Sequence, residues 1–532
     1  MNPNPETGDF VAAFRDACTR RWGAVVSAVD DGTRGGCRID CPPAMLVSLC
    51  GWLHTEMGFD LATLVVEDAG AGGWRLHYCF HTESGRVELC LAQPIEMTRV
   101  PSISAVVHAA DWHEREIEDL FGLDFEGHPK LGEFVLHEHW PEGVNPLRAD
   151  FAAGARNAST APATEWTPPT IVDAPGAFVM PVGPVYSDFG EAAHFQLETV
   201  GEDVIVTYPR LFYKHRGVEK IAEGKTLADA LLLAERFSGT SAFAHALALC
   251  QAAERIAGVA PPPRALALRA LLAEFERLRH HAATITGLCA STALAVAASQ
   301  AGLIEEALLR ASAVATGHRY LFGVARPGGL ACDVEPAAVA DLARAAQTAL
   351  ADLDSLDAIL RYTSSFLDRL EAVGIISPDQ ARAFGLVGPV ARASGLTRDL
   401  RESLPYGAYD RVGFFVPVEQ EGDGYARLRV LLAECRQSAA IIRALASRIP
   451  DGPVATPWTP SAGTALGWTE APIGAAFHWL RLDAEGRVVR YRLTPPSFNN
   501  WHGFHLAAEN FAFQDFPIIL ASVGLSVAEC DR

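Results

Sequence analysis

Long amphipathic repeats in the second half of the chain place the strongest limit on its fold. Apolar residues recur at intervals of three and four over residues 265–285, and similar patterns cover residues 303–315, 337–370 and 425–446. This spacing puts the apolar side chains on one face of a helix, and that face must pack against other helices. The second half is therefore predicted to form a helical-bundle core rather than a parallel sheet.

The most apolar long run, residues 282–304, has the length of a membrane span. It consists mostly of Ala, Ser, Thr and Gly, with few bulky side chains. We therefore expect a buried bundle helix with close backbone contacts and no direct membrane span. Any membrane association would then come through partner proteins.

The first part of the chain, residues 1–151, mixes helices with strand-like segments. Residues 61–68, 73–80 and 86–93 have the β-rich, alternating character of paired strands. These residues are predicted to form a small α+β domain.

A change of composition separates this part from the rest. Residues 152–175 are rich in Ala, Thr and Pro, which is typical of a linker. Residues 176–532 form the second predicted domain. It opens with a two-stranded hairpin over residues 193–206, with Gly201, Glu202 and Asp203 as the turn.

Charge and cysteine usage exclude several classes of function. The chain has 44 basic and 64 acidic side chains and a formal net charge of −20, which argues against nucleic acid or anionic lipid as a direct partner. Its eleven cysteines include no Cys-x-x-Cys, so we expect no zinc site or iron–sulfur cluster held by this chain alone. The N-terminus shows no secretory signal, and we expect a cytoplasmic protein with reduced thiols.

Three motifs are more specific than the periodicity. Residues 211–250 contain an Arg-Gly-x-Glu turn, a helix-like run over 226–236, a Ser-Gly-Thr-Ser break and a second apolar run. Residues 109–151 contain Asp-Trp-x-Glu-Arg-Glu, Gly-His-Pro and Pro-Leu-Arg-x-Asp. Residues 385–418 contain Gly-Pro-x-x-Arg-Ala-Ser-Gly, then Asp-Leu-Arg, then Pro-Tyr-x-x-Tyr-Asp.

Together these motifs resemble the fused large subunits of complex I-like and formate hydrogenlyase-type complexes, which are related to group 4 NiFe hydrogenases. The first domain resembles the small peripheral-arm subunit of complex I, and the second resembles the hydrogenase large subunit and the quinone-proximal subunit. The resemblance implies an α+β protein: a small N-terminal α+β domain, then a large, mainly helical bundle domain with a β-hairpin.

The resemblance also indicates where a nickel centre would be held. In the hydrogenases a Cys-Gly-x-Cys break and a C-terminal cysteine pair supply four thiolates. The corresponding residues here are Ser238, Ser241, Ser526 and Glu529, with Cys530 one residue out of register. A serine hydroxyl stays protonated near neutral pH and is a hard donor, so we predict no metal at these positions.

Two other residues of the same region are candidate catalytic groups. Glu219 corresponds to a glutamate that carries protons in hydrogenases, and His245 to the histidine of a Gly-Phe-Ala-His motif. The alternatives are an ion pair or helix-terminus carboxylate for Glu219 and an ordinary buried histidine for His245. Ser241 is also well placed to cap a helix that begins at Ala242.

The hairpin loop supplies candidate quinone contacts. The family carries a Gly-Pro-x-His motif there, and in complex I this loop reaches the quinone. Gly183 and Pro184 match the motif, Tyr186 replaces the histidine, and His194 lies nearby. His194 either substitutes for the missing histidine or is an ordinary hairpin residue.

The resemblance implies a peripheral-arm subunit of a membrane-associated oxidoreductase, either NADH:quinone oxidoreductase-like or hydrogenase-related. Electrons would come from an iron–sulfur cluster in a partner small subunit and pass to a quinone or another small acceptor. Antiporter-like membrane subunits would hold the complex at the inner face of the cytoplasmic membrane. The alternative is a redox-silent structural or coupling subunit of the same kind of complex.

Overall fold

A computed structural model describes residues 7–26, 28–30, 36–83, 85–152, 166, 172, 175–186 and 191–532. Contacts divide the chain into two compact units, one of Met1–Thr167 with Glu219–Ile221 and one of Pro168–Val218 with Ala222–Arg532. Most of the predicted linker, residues 152–175, lies outside the described residues. The exact domain boundaries therefore stay a prediction.

The first unit is built around a five-stranded sheet in the order β1-β2-β5-β4-β3, in which β2 and β5 are parallel and the other pairs antiparallel. The three predicted strands correspond to β3, β4 and β5 and are confirmed. The elements of this unit are α1 (Thr7–Trp22), β1 (Ala28–Asp30), β2 (Gly36–Asp40), α2 (Leu46–Gly51), β3 (Asp60–Asp68), β4 (Trp74–Thr82), β5 (Gly85–Gln93), β6 (Arg99–Pro101), α3 (Asp111–Phe121) and β7 (Asp124–Glu126).

Buried apolar side chains of the three long strands form much of the core of this unit. Leu64, Trp74, Leu76 and Leu89 are completely buried. Burying a large apolar side chain contributes about 1.5–3 kcal/mol, so these strands supply much of the stability of the unit.

The second unit begins with strands and continues mainly as helices. The elements from residue 177 to residue 360 are β8 (Ala177–Val182), β9 (His194–Val200), β10 (Asp203–Arg210), α4 (Val218–Ala222), α5 (Leu227–Arg236), α6 (Ala242–Ala257), α7 (Pro263–Ser291), α8 (Ala295–Thr316), β11 (Ala325–Arg326), β12 (Gly329–Leu330) and α9 (Pro336–Leu360). The remaining elements are α10 (Ser364–Leu367), α11 (Pro378–Ala383), α12 (Gly388–Ala393), α13 (Leu400–Ser403), α14 (Gly424–Ala446), β13 (Gly463–Ala471), β14 (Gly474–Leu482), β15 (Val488–Thr494), α15 (Pro496–His502), α16 (Phe504–Ala507), β16 (Phe511–Ala512), α17 (Phe516–Val523) and α18 (Val527–Cys530).

The fold class predicted from the sequence is confirmed. Strands β9 and β10 form the expected hairpin, and the predicted helices over 265–285, 303–315 and 425–446 lie within α7, α8 and α14. Helix α7 packs against α8 and α14, and the antiparallel sheet β13-β14-β15 packs against α6. This helical core holds the two polar systems described below.

Two predicted helices are interrupted. The apolar run at 282–304 divides between α7 and α8, because Ala293 has a left-handed φ of 62° that a right-handed helix cannot contain. The pattern at 337–370 divides at Leu360, since Thr363 has extended backbone. In the described part of the chain, no helix is long and apolar enough to cross a membrane.

Candidate functional site

The start of α6 is held by a side chain from another helix. The carboxylate of Glu276 on α7 accepts hydrogen bonds from the backbone N–H groups of Phe243 and Ala244, at 2.9 and 3.0 Å. Ser241 occupies the cap position, but its side chain makes no capping hydrogen bond. The predicted serine cap is therefore wrong, because Glu276 binds the first N–H groups of the helix instead.

The last helix, α18, is capped by two side chains. The hydroxyl of Ser526 accepts from the backbone N–H of Glu529 at 3.2 Å and donates to the Glu191 carboxylate at 2.9 Å. Glu191 also accepts from the N–H of Ala528 at 3.1 Å. Hydrogen bonds of this kind satisfy backbone groups that have no partner inside the helix.

The Arg-Gly turn lies against this C-terminal segment. The backbone N–H of Arg216 donates to the carbonyl oxygen of Asp531 at 2.9 Å, and its side-chain Nε donates to the same oxygen at 3.0 Å. The guanidinium also donates to the carbonyl oxygen of Ala528. Burial raises the pKa of Asp531 to about 7, although Arg216 acts in the opposite direction.

A buried row of four polar side chains runs from this segment into the core of the second unit. His245 Nε2 lies 3.5 Å from Glu529 Oε1, His245 Nδ1 lies 3.0 Å from His478 Nε2, and His478 Nδ1 lies 2.8 Å from the hydroxyl of Tyr491. All four residues are at most 1% exposed. We call Glu529, His245, His478 and Tyr491 the histidine row.

The hydrogen-bonded part of the histidine row runs from His245 through His478 to Tyr491, because His245 Nε2 and Glu529 Oε1 have no hydrogen-bond partner among the described residues. Burial and the neighbouring His245 ring hold the pKa of His478 well below its usual range, so this ring is neutral at neutral pH. A neutral imidazole donates from one nitrogen and accepts at the other. The neutral ring of His478 therefore donates to one of its two neighbours in the row and accepts from the other.

The structure brings together several of the residues that the sequence singles out. Ser241 lies one helical turn before His245, and its backbone carbonyl oxygen accepts a hydrogen bond from the backbone N–H of His245 at 3.1 Å. Ser526 caps the short helix that carries Glu529. Ser238 pairs with the hydroxyl of Thr240 at 2.8 Å in the loop before α6.

Glu219 lies on α4 and is only 4% exposed. Its carboxylate is thus desolvated, as its proposed catalytic use requires. Its role as a proton carrier stays a prediction.

The two candidate quinone contacts are bound to the backbone of their own loop. The Tyr186 hydroxyl donates to the carbonyl oxygen of Ala193 at 2.6 Å, and His194 Nδ1 lies 3.2 Å from the carbonyl oxygen of Gly183. These bonds hold the ends of β8 and β9 together. Any ligand that binds these side chains would have to replace them.

Sequence reasoning missed His478, Tyr491, Glu276 and Glu191. His478 and Tyr491 lie on β14 and β15, where they read as ordinary strand residues, and no local motif marks them. His478 lies 233 residues from His245, so only the tertiary fold joins them.

Among the described residues, no group of three or more His, Cys, Asp or Glu side chains is arranged to hold a metal ion. The nearby Cys530 is buried, and burial holds the pKa of its thiol well above the usual range. A protonated thiol is not a metal ligand. The donors that meet here are hydroxyl, carboxylate and imidazole groups.

A small α+β unit, followed by a helical unit whose Arg-Gly turn meets the chain's own C-terminus, defines a fused protein with a hydrogenase large-subunit-like second part. Family profiles support each part. The 49 kDa subunit of respiratory-chain NADH dehydrogenase matches residues 303–459 and 455–532, the 30 kDa subunit matches residues 39–157, and nickel-dependent hydrogenase matches residues 216–295.

Individual relatives match over most of the chain. Formate hydrogenlyase subunit 5 of Escherichia coli (strain K12) is 30% identical over 496 residues, which are 91% of this chain and 85% of the relative. Hydrogenase-4 component G of the same strain is 28% identical, over 91% of this chain and 84% of the relative. The NADH-quinone oxidoreductase C/D subunit of Bdellovibrio bacteriovorus is 28% identical, over 80% of this chain and 81% of the relative.

The chain therefore belongs to the family of fused complex I-like and hydrogenase-related subunits that includes formate hydrogenlyase subunit 5.

Proposed function

We propose that the protein is a peripheral-arm subunit of a membrane-associated, complex I-like oxidoreductase that is not a nickel hydrogenase. In this proposal a partner iron–sulfur subunit delivers electrons, and a quinone or another small molecule accepts them. Antiporter-like membrane subunits hold the assembly at the inner face of the cytoplasmic membrane. The named relatives are subunits of formate hydrogenlyase and NADH-quinone oxidoreductase, which supports this placement.

The donor set around His245 is the observation that carries the proposal. Where the resemblance places four nickel thiolates, the chain has Ser238, Ser241, Ser526 and Glu529. Low-valent nickel requires soft sulfur donors, and neither hydroxyl nor carboxylate oxygen is one. These residues do not fit a nickel centre, and we assign no hydrogen chemistry to them.

The protein's own residues would then handle protons rather than metal. Glu529 Oε1 and His245 Nε2 are 3.5 Å apart, and neither atom has a hydrogen-bond partner among the described residues, so a proton held between them would join both groups. Glu219 is the second candidate proton carrier. Tyr186 and His194 remain the candidates for contact with the acceptor.

The alternative is a redox-silent coupling subunit of the same kind of complex. It is favoured by the internal bonding of the polar groups: Ser526 is bound to Glu191, and Tyr186 to the backbone of Ala193. In this case the site is a structural joint between α6 and the C-terminus, and its residues affect assembly rather than turnover.

Turnover of the purified complex separates the two functions. His245→Ala and Glu219→Gln are each expected to lower quinone-dependent oxidation about 10²-fold or more, because each removes a proton carrier. His139→Ala and Glu202→Gln are matched controls, since both side chains are exposed. Unchanged turnover in both site variants, in a complex that assembles normally, would support the coupling subunit instead.

Metal analysis tests the remaining part of the proposal. We expect the purified complex to contain iron from the partner subunit and no nickel. Nickel in a one-to-one ratio with this chain would overturn the assignment.

A further inference from the structure

The Gly-Pro motif of residues 385–418 has no part in the site around His245, yet three of its charged residues, Arg392, Asp399 and Arg401, are among the most deeply buried in the chain. They meet charged residues of α7, α14 and β13 in one network. We call this network the buried charge cluster; its members are Glu274, Arg277, His281, Arg392, Asp399, Arg401, Glu434 and Glu470, each at most 3% exposed.

One end of the buried charge cluster is centred on Glu274. Arg401 Nη1 lies 2.9 Å from its carboxylate, and the hydroxyls of Tyr409 and Ser438 each donate to it at 2.6 Å. Arg401 also binds Asp399 at 2.6 Å. At this end, both carboxylates, Glu274 and Asp399, are ion-paired with the guanidinium group of Arg401.

The other end is centred on Arg392. Its guanidinium lies 2.6 Å from Glu434, 2.9 Å from Glu470 and 3.5 Å from Asp399. Arg277 lies between the two ends, with Glu274 at 3.4 Å and Glu434 at 3.9 Å. Three guanidinium groups therefore form all the arginine ion pairs of the carboxylates in the cluster.

The charges of the cluster do not balance. Four carboxylates (Glu274, Asp399, Glu434 and Glu470) face three guanidinium groups (Arg277, Arg392 and Arg401). An uncompensated charge in a protein interior costs several kcal/mol. The cluster must therefore bind one additional proton or keep an unpaired negative charge.

His281 is a poor place for that proton. Its Nε2 donates to Glu434 at 2.8 Å, while its Nδ1 is buried and has no partner among the described residues. A second N–H would therefore lack an acceptor, and burial lowers the pKa of this ring. Tyr406 and Tyr409 stay neutral, because burial raises the pKa of both phenols.

Among the carboxylates, Glu470 differs from the rest. Nearby arginines hold the pKa values of Glu274, Asp399 and Glu434 below their usual range despite burial. Burial and the negative charge of Asp399 instead raise the pKa of Glu470 to about 7. The Glu470 carboxylate has one arginine contact among the described residues, to Arg392 at 2.9 Å, and its second oxygen accepts the backbone N–H of Leu400 at 3.1 Å. Arg277 instead donates to the backbone carbonyl oxygen of Glu470.

We propose that Glu470 is a buried proton-binding site, which neutralises the buried charge cluster by reversibly binding one proton. The site involves no metal and no electron acceptor. It is therefore independent of the function proposed above, and the failure of one would leave the other standing.

Urea unfolding of the full-length chain at a series of pH values tests the site. Folded Glu470 keeps its proton to a higher pH than unfolded Glu470, so wild-type stability from this group is lost as pH rises from about 4.5 to about 7. Glu470→Gln removes the titration. The ratio of the wild-type unfolding constant to that of Glu470→Gln should rise about tenfold per pH unit in this window and be constant above it.

Glu402→Gln is the matched control, because Glu402 belongs to the same motif and is exposed. Its curve should run parallel to that of wild type. A parallel curve for Glu470→Gln would overturn the proposal.

A second measurement applies if Glu470→Gln does not fold. This measurement uses the Glu114→Gln variant, because Glu114 is a second buried glutamate with a pKa raised to about 7. The infrared band of protonated glutamate is followed in this variant with carbon-13-labelled glutamate. A band that decreases by one carboxyl between about pH 6 and about pH 8 supports the site. No loss of a glutamate band over that interval would overturn it.

Discussion

Two serines of the site differ in their bonding, and this difference predicts opposite effects of removing their hydroxyls. Ser241 is completely buried, and its hydroxyl has no partner among the described residues, so Ser241→Ala should leave stability unchanged or raise it by up to about 1 kcal/mol. Ser526→Ala removes the cap of α18 and the bond to Glu191, and should cost about 1 kcal/mol. Urea unfolding measures both, and equal losses would contradict this account.

At this scale the sequence identified residues that lie in local motifs. His245 and Glu529 were both singled out, and the structure places them 3.5 Å apart. His478 and Glu276 were missed, because each reaches the site through tertiary packing. The prediction that Ser241 caps α6 was wrong for the same reason. A local rule favours Ser241, but the Glu276 carboxylate on another helix accepts the first backbone N–H groups of α6.

At the scale of elements, the contact between β13 and α6 depends on a residue without a side chain. A Cβ atom at Gly467 would lie 1.9 Å from the carbonyl oxygen of Ala248. Gly467→Ala should therefore push α6 away from the sheet and cost about 1–3 kcal/mol. Gly287→Ala is the control: nothing lies within 4 Å of its Cβ position on α7, and a helical alanine should add about 0.5–1 kcal/mol. Thermal unfolding of both variants checks the pair, and a neutral Gly467→Ala would contradict it.

Periodicity predicted helices well and their ends poorly. The hairpin and the cores of α7, α8 and α14 follow directly from apolar spacing. The breaks at Ala293 and Thr363 do not, since the residues on both sides keep helical spacing and neither break contains Gly or Pro. Backbone geometry at these positions is set by the packing of the helices on either side, which one sequence does not reveal.

At the scale of the whole molecule, the two units contain buried ionisable groups of different kinds. In the first unit, burial raises the pKa of Glu114 to about 7 and of Asp119 to about 6, despite opposing hydrogen bonds. Burial acts to lower the pKa of His77, but its hydrogen bonds with Cys90 and with the acceptor carboxylates of Glu67 and Glu88 outweigh burial and raise this pKa. In the second unit, burial instead lowers the pKa values of three histidines, His280, His281 and His478.

The sign of each contribution follows from these shifts. An acid whose folded pKa is raised stabilises the fold below its unfolded pKa, and this stability is lost as pH rises through the folded value; a histidine with a raised pKa behaves the same way. A histidine with a lowered pKa has the opposite effect, because only the unfolded chain binds its proton below about pH 6.5. The first unit therefore loses stability as pH rises. In the second unit burial also raises the pKa values of acids, namely Glu470, Asp531, Glu276, Glu305 and Glu509, but its three histidines contribute stability of the opposite pH dependence.

Raising the pH from about 5 to about 8 should thus weaken the first unit more than the second, with Glu114 alone contributing about 3 kcal/mol. Hydrogen exchange followed by mass spectrometry and corrected for intrinsic rates measures this: strands β3–β5 should lose protection, and α6 and α14 should change less. Glu114→Gln should reduce the loss in β3–β5 and leave the second unit unaffected, because the amide does not titrate. Equal loss of protection in both units, or no effect of Glu114→Gln, would show that these buried groups do not control the stability of the first unit.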